Sequence, residues 1–375
     1  MSQKRLKVVI SGGGTGGHIY PALAIARGLA EQEGAEILYL GGRQSLESRL
    51  AQEAGFAFRE IRSSGLQGNA FRKMKALYAN YQGMKEAKRL LAEYRPQLAI
   101  GTGGYVGAPV LFAAAKLGIP TMIHEQNAFP GKANRLLGRY VDRICLTFEE
   151  ARSYFPQPEK CVHTGLPVRQ AIWAATKEDG LAHFHLDGKR PVFLVTGGSQ
   201  GAKTLNTALS AAIVELLQAG LQVIWITGPK NYAAIKQEWQ KTKNLTKGLD
   251  PNGLVLIPYL NEMEKALAAA DLVLGRAGAS FIAEILVRGL PSVLVPYPFA
   301  VGNHQELNAA SLVANGAALM IQDKDLTAQA LLEAILPLVE DRERLAKMAA
   351  AAKGMAAPKA LDAILAQAVA LFKNQ

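Results

Sequence analysis

Residues 7–26, KVVISGGGTGGHIYPALAIA, decide the fold of this chain. A short apolar run, KVVIS, breaks at Gly12, Gly13 and Gly14 and then gives way to the helix-forming stretch PALAIA. Glycine lets backbone N–H groups approach an anion closely, and the helix that follows aims its positive end at the same spot. The pattern recurs at residues 192–213, VFLVTGGSQGAKTLNTALSAAI, with its loop from Thr196 to Ala202. Two such openings predict two phosphate-seeking α/β halves with a cleft between them. That arrangement suits a reaction in which both partners carry diphosphates.

Working outward, apolar runs ending in Gly, Thr or Ser alternate with helical stretches. EILYLGG, LAIGTGG, TMIHEQ and RICLTF follow the first opening; QVIWITG, GLVLIPY, DLVLGRAG and SVLVPYP follow the second. Such runs are what parallel strands buried on both faces look like. At 375 residues the chain exceeds what one core usually serves. Two domains are expected, 1–165 and 166–345, with a linker near CVHTGLPVRQAIW at 161–173. A helical segment, 346–375, is broken at Pro358 and expected to cross back onto the first domain.

The net charge of +11 is uneven: residues 1–170 hold 23 Lys+Arg against 13 Asp+Glu, leaving 19 against 18 for the remainder. A basic half can meet nucleic acid, an anionic bilayer or an acidic substrate, or serve solubility alone. Cys145 and Cys161 cannot build a disulfide framework, which favours a reducing compartment. The start MSQKRLKVVISGG puts a strand where a signal peptide needs a longer apolar region, and no 18-residue uninterrupted apolar run predicts a membrane span.

Gly12, Gly14 and Gly17 match the dinucleotide pattern G-x-G-x-x-G, but Arg43 ends the second strand where an acidic residue would hold an NAD ribose. GGSQGAKT falls short of a P-loop because Ala202 replaces its second glycine. Asp323-Lys324-Asp325 mimics a metal-binding Asp-x-Asp, yet it leads directly into LTAQALLEAIL, so Asp325 reads as a helix N-cap.

Seven blocks, in order, resemble the bacterial N-acetylglucosaminyltransferases that make lipid II: GGGTGGHIYPALA, GTGGYVGAP, HEQNAFPGKAN, GLPVR, TGGSQGA, GRAGASFIAEI and PYPFAVGNHQELNA. The resemblance implies a GT-B type fold, two Rossmann-like doubly wound parallel-sheet domains facing across a cleft. It implies an inverting transfer from UDP-N-acetylglucosamine to undecaprenyl-linked N-acetylmuramoyl pentapeptide, with no metal or other cofactor required. A UDP-N-acetylglucosamine 2-epimerase of similar architecture and a non-catalytic nucleotide-sugar-binding protein remain the alternatives. The implied partners also include anionic inner-leaflet lipid and other cell-wall synthesis proteins but no nucleic acid, at the cytoplasmic face of the membrane.

On the donor side, Glu284 sits on the first turns of a helix that follows Gly275-Arg276, where a carboxylate can accept both hydroxyls of a ribose diol, the role the resemblance implies, or stay a solvated surface residue. Ser199 offers a hydroxyl to the α-phosphate, and Arg276 is either a cation near the leaving diphosphate or an ordinary salt-bridge partner. Similarity adds backbone reading of uracil near Leu260, and a pair touching the sugar, His304 and Gln305. His304 stands where some relatives carry Gln, and it also reads as a helix cap. Thr15, Gly16, Gly17, Asn127, Arg169, Gln200 and Ala279 complete the expected donor set.

On the acceptor side, Gly14, Thr15, Gly16 and Gly17 with Gly103, Gly104 and Tyr105 are expected to hold the diphosphate. His18 closes the first loop at a helix start. Imidazole changes charge near neutral pH, so His18 is the candidate base, or else only a phosphate-gripping group. Glu125 is the reserve base. His124 also fits a satisfied core residue; His163, His183 and His185 carry no motif. Residues 69–94 place Phe71, Met74, Leu77, Tyr78, Tyr81 and Met84 at helical spacing, with Lys73, Lys75, Lys85, Lys88 and Arg89 among or after them. The pattern fits a helix lying on an anionic membrane, and equally a buried core helix.

Overall fold

A computed structural model describes residues 6–65, 68–245, 250 and 252–373. The chain divides into two compact units, Met1–Pro167 with Ala357–Gln375, and Val168–Ala356. Among the described residues the first unit holds one seven-stranded parallel sheet: β1 (Lys7–Ser11), β2 (Glu36–Gly42), β3 (Ala57–Ile61), β4 (Leu98–Gly101), β5 (Thr121–Glu125), β6 (Arg143–Leu146) and β7 (Cys161–His163). Its order is β3-β2-β1-β4-β5-β6-β7, with Val8 of β1 level with Ile37 on one side and Leu98 on the other. Helices α1 (Gly16–Glu33), α2 (Leu46–Glu53), α3 (Ala70–Tyr94), α4 (Gly104–Lys116) and α5 (Lys132–Leu137) connect the strands. Successive β1 residues feed opposite cores, Val9 packing with Leu38, Val106 and Val110, and Val8 and Ile10 packing with Ile25 and Leu29. Burial on both faces explains the uninterrupted apolar runs.

The second unit repeats the plan with a six-stranded sheet among the described residues, in the order β10-β9-β8-β11-β12-β13. Its strands are β8 (Val192–Thr196), β9 (Gln222–Ile226), β10 (Leu254–Ile257), β11 (Leu272–Gly275), β12 (Ser292–Leu294) and β13 (Ala318–Met320). Around them lie α6 (Gln170–Ala174), α7 (Lys177–Phe184), α8 (Lys203–Gln218), α9 (Pro229–Leu245), α10 (Met263–Ala269), α11 (Ala279–Arg288), α12 (His304–Ala314), α13 (Ala328–Glu340) and α14 (Arg342–Met355). Trp225 is fully buried, and its indole N–H donates to Asn206 Oδ1 at 3.0 Å, so the large ring enters the core without an orphaned donor.

Three strands were not legible as apolar runs. AFREI (β3) is a partly exposed edge strand, while CVH (β7) and ALM (β13) have three residues each. β7 falls inside the expected linker at 161–173, because Cys161–His163 still pairs with β6. The return to the first unit begins at Ala357 and not at residue 346, since Met348 and Ala352 of α14 are buried in the second unit. The helix α15 (Ala360–Lys373) packs Ile364, Leu365 and Ala368 into the core beside α1. Arg342–Lys373 is apolar enough in composition to cross a bilayer. It is two helices of 14 residues each, about 21 Å apiece, against a hydrocarbon thickness of about 30 Å.

The helix α3 turns the opposite face inward from the one a core-helix reading requires. Ala76, Gly83, Ala87 and Leu91 are buried, whereas Phe71 and Tyr78 are 71% and 64% exposed, with Met74, Leu77 and Tyr81 also exposed. Small residues let the helix lie close: a Cβ on Gly83 would come within 1.8 Å of the Arg62 carbonyl oxygen. Met84 alone of the expected stripe packs against the core. The core-helix alternative is therefore overturned, and an apolar, lysine-flanked face is left on the surface.

Candidate active site

In each unit the strand order reverses between the strand that opens the fold and its neighbour on the other side, β1 with β4 and β8 with β11. Connections leave in opposite directions at such a switch point and open a crevice at the carboxyl ends of the strands. The glycine loops after β1, β4, β8 and β11 lie at these ends.

In the first unit the two glycine turns lock together. Gly104 has φ +79°, and a Cβ there would meet the Gly13 carbonyl oxygen at 2.1 Å, so no side chain fits where the turns cross. The Tyr105 ring lies over Gly14. Thr15 takes the N-cap position of α1 with an extended backbone and no side-chain cap bond, placing Gly16 and Gly17 in the first turn, where amides lack intrahelical acceptors. Sequence reasoning missed Glu47, which is buried and reaches from α2 to accept from the amides of Gly42 at 3.1 Å and Gly14 at 3.4 Å. The Gly14 N–H thus faces a carboxylate.

His18 Nδ1 lies 2.9 Å from Gln126 Oε1 and 3.0 Å from the Thr102 carbonyl oxygen, while its Nε2 makes no hydrogen bond among the described residues. Glu125, 1% exposed, accepts four hydrogen bonds. Its Oε1 takes the amide and side chain of Asn127 at 3.0 and 3.2 Å, and its Oε2 takes the Gly131 amide at 3.1 Å and Asn134 at 2.9 Å. Both oxygens are committed to the 125–134 loop. In this geometry Glu125 anchors the 125–134 loop and places Asn127.

His124 is a satisfied core residue whose Nε2 donates to the Gly165 carbonyl at 2.9 Å while Nδ1 accepts from Gln126 at 3.0 Å. Burial pushes its pKa down to about 4, against the Gly165 bond, which favours the charged ring. The folded chain therefore binds fewer protons here than the unfolded chain between roughly pH 6.5 and 4. The contribution is present above the unfolded pKa and lost as pH falls through this window, amounting to about 3 kcal/mol. Urea unfolding should show wild-type stability falling from pH 7 to pH 4.5 by more than that of His124→Gln. Parallel pH profiles would refute the assignment.

In the second unit Gly198 and Gly201 take positive φ in the loop before α8, leaving Ser199 and Gln200 exposed. Gly278 caps α11, with Ala279 as its first residue and Glu284 one and a half turns on. Burial raises the pKa of Glu284, opposed by Arg169, whose guanidinium lies 3.4 Å from Glu284 and 3.8 Å from Glu264. Arg169 thus bridges two carboxylates, those of Glu264 and Glu284. Arg276 pairs with Asp323 at 2.5 Å, donates to the carbonyls of Val295 and Pro296 at 3.2 Å, and lies over the Tyr297 ring. These contacts fix the guanidinium beside the β11 loop.

Asp323 also accepts from Thr204 on the first turn of α8 at 3.1 Å. Asp325 is not the N-cap of α13; Thr327 is, accepting from the Ala330 amide, because the helix begins two residues later than the pattern suggested. Nor does His304 cap α12: Asn303 holds that position with φ +57°, and His304 Nδ1 donates to the Val301 carbonyl at 2.9 Å. Gln305 Oε1 accepts from the Tyr297 amide at 2.9 Å, and Leu260 lies half-buried between β10 and α10.

Residues 8–146 match the glycosyltransferase family 28 N-terminal domain and residues 192–364 match its C-terminal domain. A Moorella thermoacetica protein named UDP-N-acetylglucosamine--N-acetylmuramyl-(pentapeptide) pyrophosphoryl-undecaprenol N-acetylglucosamine transferase is 46% identical over 96% of this chain and 97% of its own length. The chain belongs to this family 28 of glycosyltransferases. A Halalkalibacterium halodurans protein of the same name is 39% identical over 95% of this chain and 97% of its own. The crystal structure of Acinetobacter baumannii MurG superposes with a TM-score of 0.79 at 29% identity, covering 97% of this chain and 99% of that one. A putative UDP-N-acetylglucosamine 2-epimerase from Listeria monocytogenes, 15% identical with a TM-score of 0.70 and covering 99% of this chain and 98% of its own, shares the fold alone.

Two contributors to this family 28 site escaped the sequence reading. Glu47 reads as an ordinary acidic residue in a helix first turn, and Gln126 sat unremarked inside HEQNAFPGKAN. Each acts through a partner far along the chain, 33 residues away for Glu47 with Gly14 and 108 for Gln126 with His18.

Proposed function

We propose that this chain transfers N-acetylglucosamine from UDP-N-acetylglucosamine to undecaprenyl-pyrophosphoryl-N-acetylmuramoyl pentapeptide, converting lipid I to lipid II. The observation that carries this is the near full-length identity to curated transferases of that name, 46% in the Moorella thermoacetica relative. In the second unit Glu284 accepts the ribose hydroxyls, with Arg169, Ser199, Gln200, Ala279 and the backbone at Leu260 around the nucleotide, and His304 and Gln305 at the sugar. The N-termini of α8 and α11, with Arg276, stabilise the charge that develops on the departing diphosphate. In the first unit the amides beyond Thr15 and those at Gly103 and Gly104 hold the acceptor's diphosphate beside His18.

The acceptor's C4 oxygen loses its proton to His18 Nε2 and attacks the donor's C1 as the bond from C1 to the UDP oxygen breaks, the electron pair leaving with UDP. A single displacement inverts C1 and gives a β1,4 link. No step passes through a metal. The product of a soluble acceptor, made in the presence of EDTA, should show by proton NMR the large anomeric coupling of a β-glycoside at an unchanged rate. An α product, or activity lost to EDTA and restored by Mg²⁺, would contradict the scheme.

The exposed face of α3 supports docking on anionic lipid at the cytoplasmic face. Phe71, Met74, Tyr78 and Tyr81 present rings and thioether to the acyl boundary, while Lys73, Lys75 and Lys85 are exposed beside them, Lys85 over the Tyr81 ring at 4.6 Å. Each lysine contributes about 1 kcal/mol near such a surface. Reversing all three to glutamate should release the protein from anionic vesicles in a flotation assay while a soluble acceptor is still turned over. Undiminished vesicle binding would remove α3 from the membrane surface.

A further inference from the structure

Gln126 is 2% exposed and lies at the centre of a cluster that the sequence motif does not explain. Its Nε2 is 2.9 Å from the Thr102 carbonyl oxygen, 2.9 Å from the His124 carbonyl oxygen and 3.0 Å from His124 Nδ1. Two of these partners are main-chain carbonyls, which accept only. The amide nitrogen must therefore face them, because the opposite rotamer would set three oxygens against one another in a buried space. That fixes Oε1 on the far side, 2.9 Å from His18 Nδ1.

His18 Nδ1 consequently faces two acceptors, Gln126 Oε1 and the Thr102 carbonyl at 3.0 Å. Only a protonated Nδ1 satisfies both. The neutral ring then carries its lone pair on Nε2, the nitrogen without a hydrogen bond among the described residues. Thr102 Oγ1 also donates to the His18 carbonyl at 2.7 Å, which ties the first turn of α1 to the end of β4 and holds the ring's backbone in place.

We propose that Gln126 is a positioning residue that, with the Thr102 carbonyl, holds His18 in the tautomer protonated on Nδ1, so that Nε2 is the atom that takes the acceptor's proton. The proposal rests on the reading of His18 as the base. It adds an energetic consequence: once Nε2 is protonated, the positive ring strengthens its Nδ1 bond to the two oxygens, so the same contacts favour the product of proton transfer over the reactant.

The test combines a spectroscopic signature with kinetics. In ¹⁵N-histidine-labelled wild-type protein at alkaline pH, the His18 signals, assigned by their loss in His18→Ala, should show Nδ1 protonated and Nε2 bare. Gln126→Met, which keeps the bulk and removes the amide, should shift the ring toward the other tautomer. It should lower kcat roughly 10- to 100-fold with the donor's KM unchanged, less than a complete tautomer loss costs because the Thr102 carbonyl remains. In a His18→Ala background the same change should cost nothing further, since the two act as a unit. A wild-type His18 protonated on Nε2 overturns the proposal without any variant, as does a Gln126→Met enzyme with wild-type tautomer and kcat. Undiminished kcat in His18→Ala overturns the base reading instead, a result that the tautomer measurement distinguishes.

Discussion

Replacing His18 by alanine lowers kcat by about 10² to 10⁴ and leaves the affinity for UDP-N-acetylglucosamine where it was. The expectation follows from what the ring touches. Nδ1 is committed to Gln126 and Thr102, so the residue's remaining chemistry is at Nε2. Glu125, the other candidate base, has both oxygens held by Asn127, Gly131 and Asn134, and removing it should disturb the loop more than the proton transfer. A group used only in the transition state depresses kcat and kcat/KM together, whereas one that merely grips the acceptor's phosphates raises the acceptor's KM and spares kcat. An alanine variant with raised acceptor KM and intact kcat would return His18 to phosphate binding and leave the base unassigned.

Glu284→Ala weakens UDP and UDP-sugar binding together by about 1.5 to 3 kcal/mol, or roughly 10- to 150-fold, the usual loss for a charged hydrogen-bonding partner. Burial already disfavours the charge on Glu284, and Arg169 at 3.4 Å opposes that effect. A ribose diol donating two hydrogen bonds would stabilise the carboxylate in the same way. Loss should appear with UDP alone, since the sugar is not involved. Calorimetry that finds equal UDP affinity in wild type and variant would take Glu284 out of the site.

The fold was legible wherever burial on both faces left a signature. KVVIS, VFLVT and the eight other apolar runs are strands of the two sheets, and both glycine openings end in helices. AFREI, CVH and ALM were not legible, because a short or edge strand buries too little to exclude polar residues. The α3 face was ambiguous for a different reason: helical spacing says that residues share a side and not which side is wet. Ala76, Gly83 and Ala87 settle that only through their neighbours.

Within the candidate site, residue type and position predicted the strand-to-helix turn that carries Glu284, because that loop and helix are local. They did not show that Glu125 anchors its loop, because its donors, Asn127, Gly131 and Asn134, meet it only in the fold. Gln126 was equally hidden, since the meaning of its amide depends on carbonyls contributed by Thr102, just past β4, and by His124 of β5. Asp325 failed as a cap because Thr327, two residues on, offered the same chemistry at the true helix start.

The most direct test of the central claim is incubation of the purified chain with radiolabelled UDP-N-acetylglucosamine, with and without undecaprenyl-pyrophosphoryl-N-acetylmuramoyl pentapeptide in anionic vesicles. The account predicts label moving into the lipid fraction only when the acceptor is present, with one UDP released for each sugar transferred. Conversion of the labelled sugar nucleotide to its C2 epimer without acceptor, or tight UDP binding with no label in lipid, would contradict it.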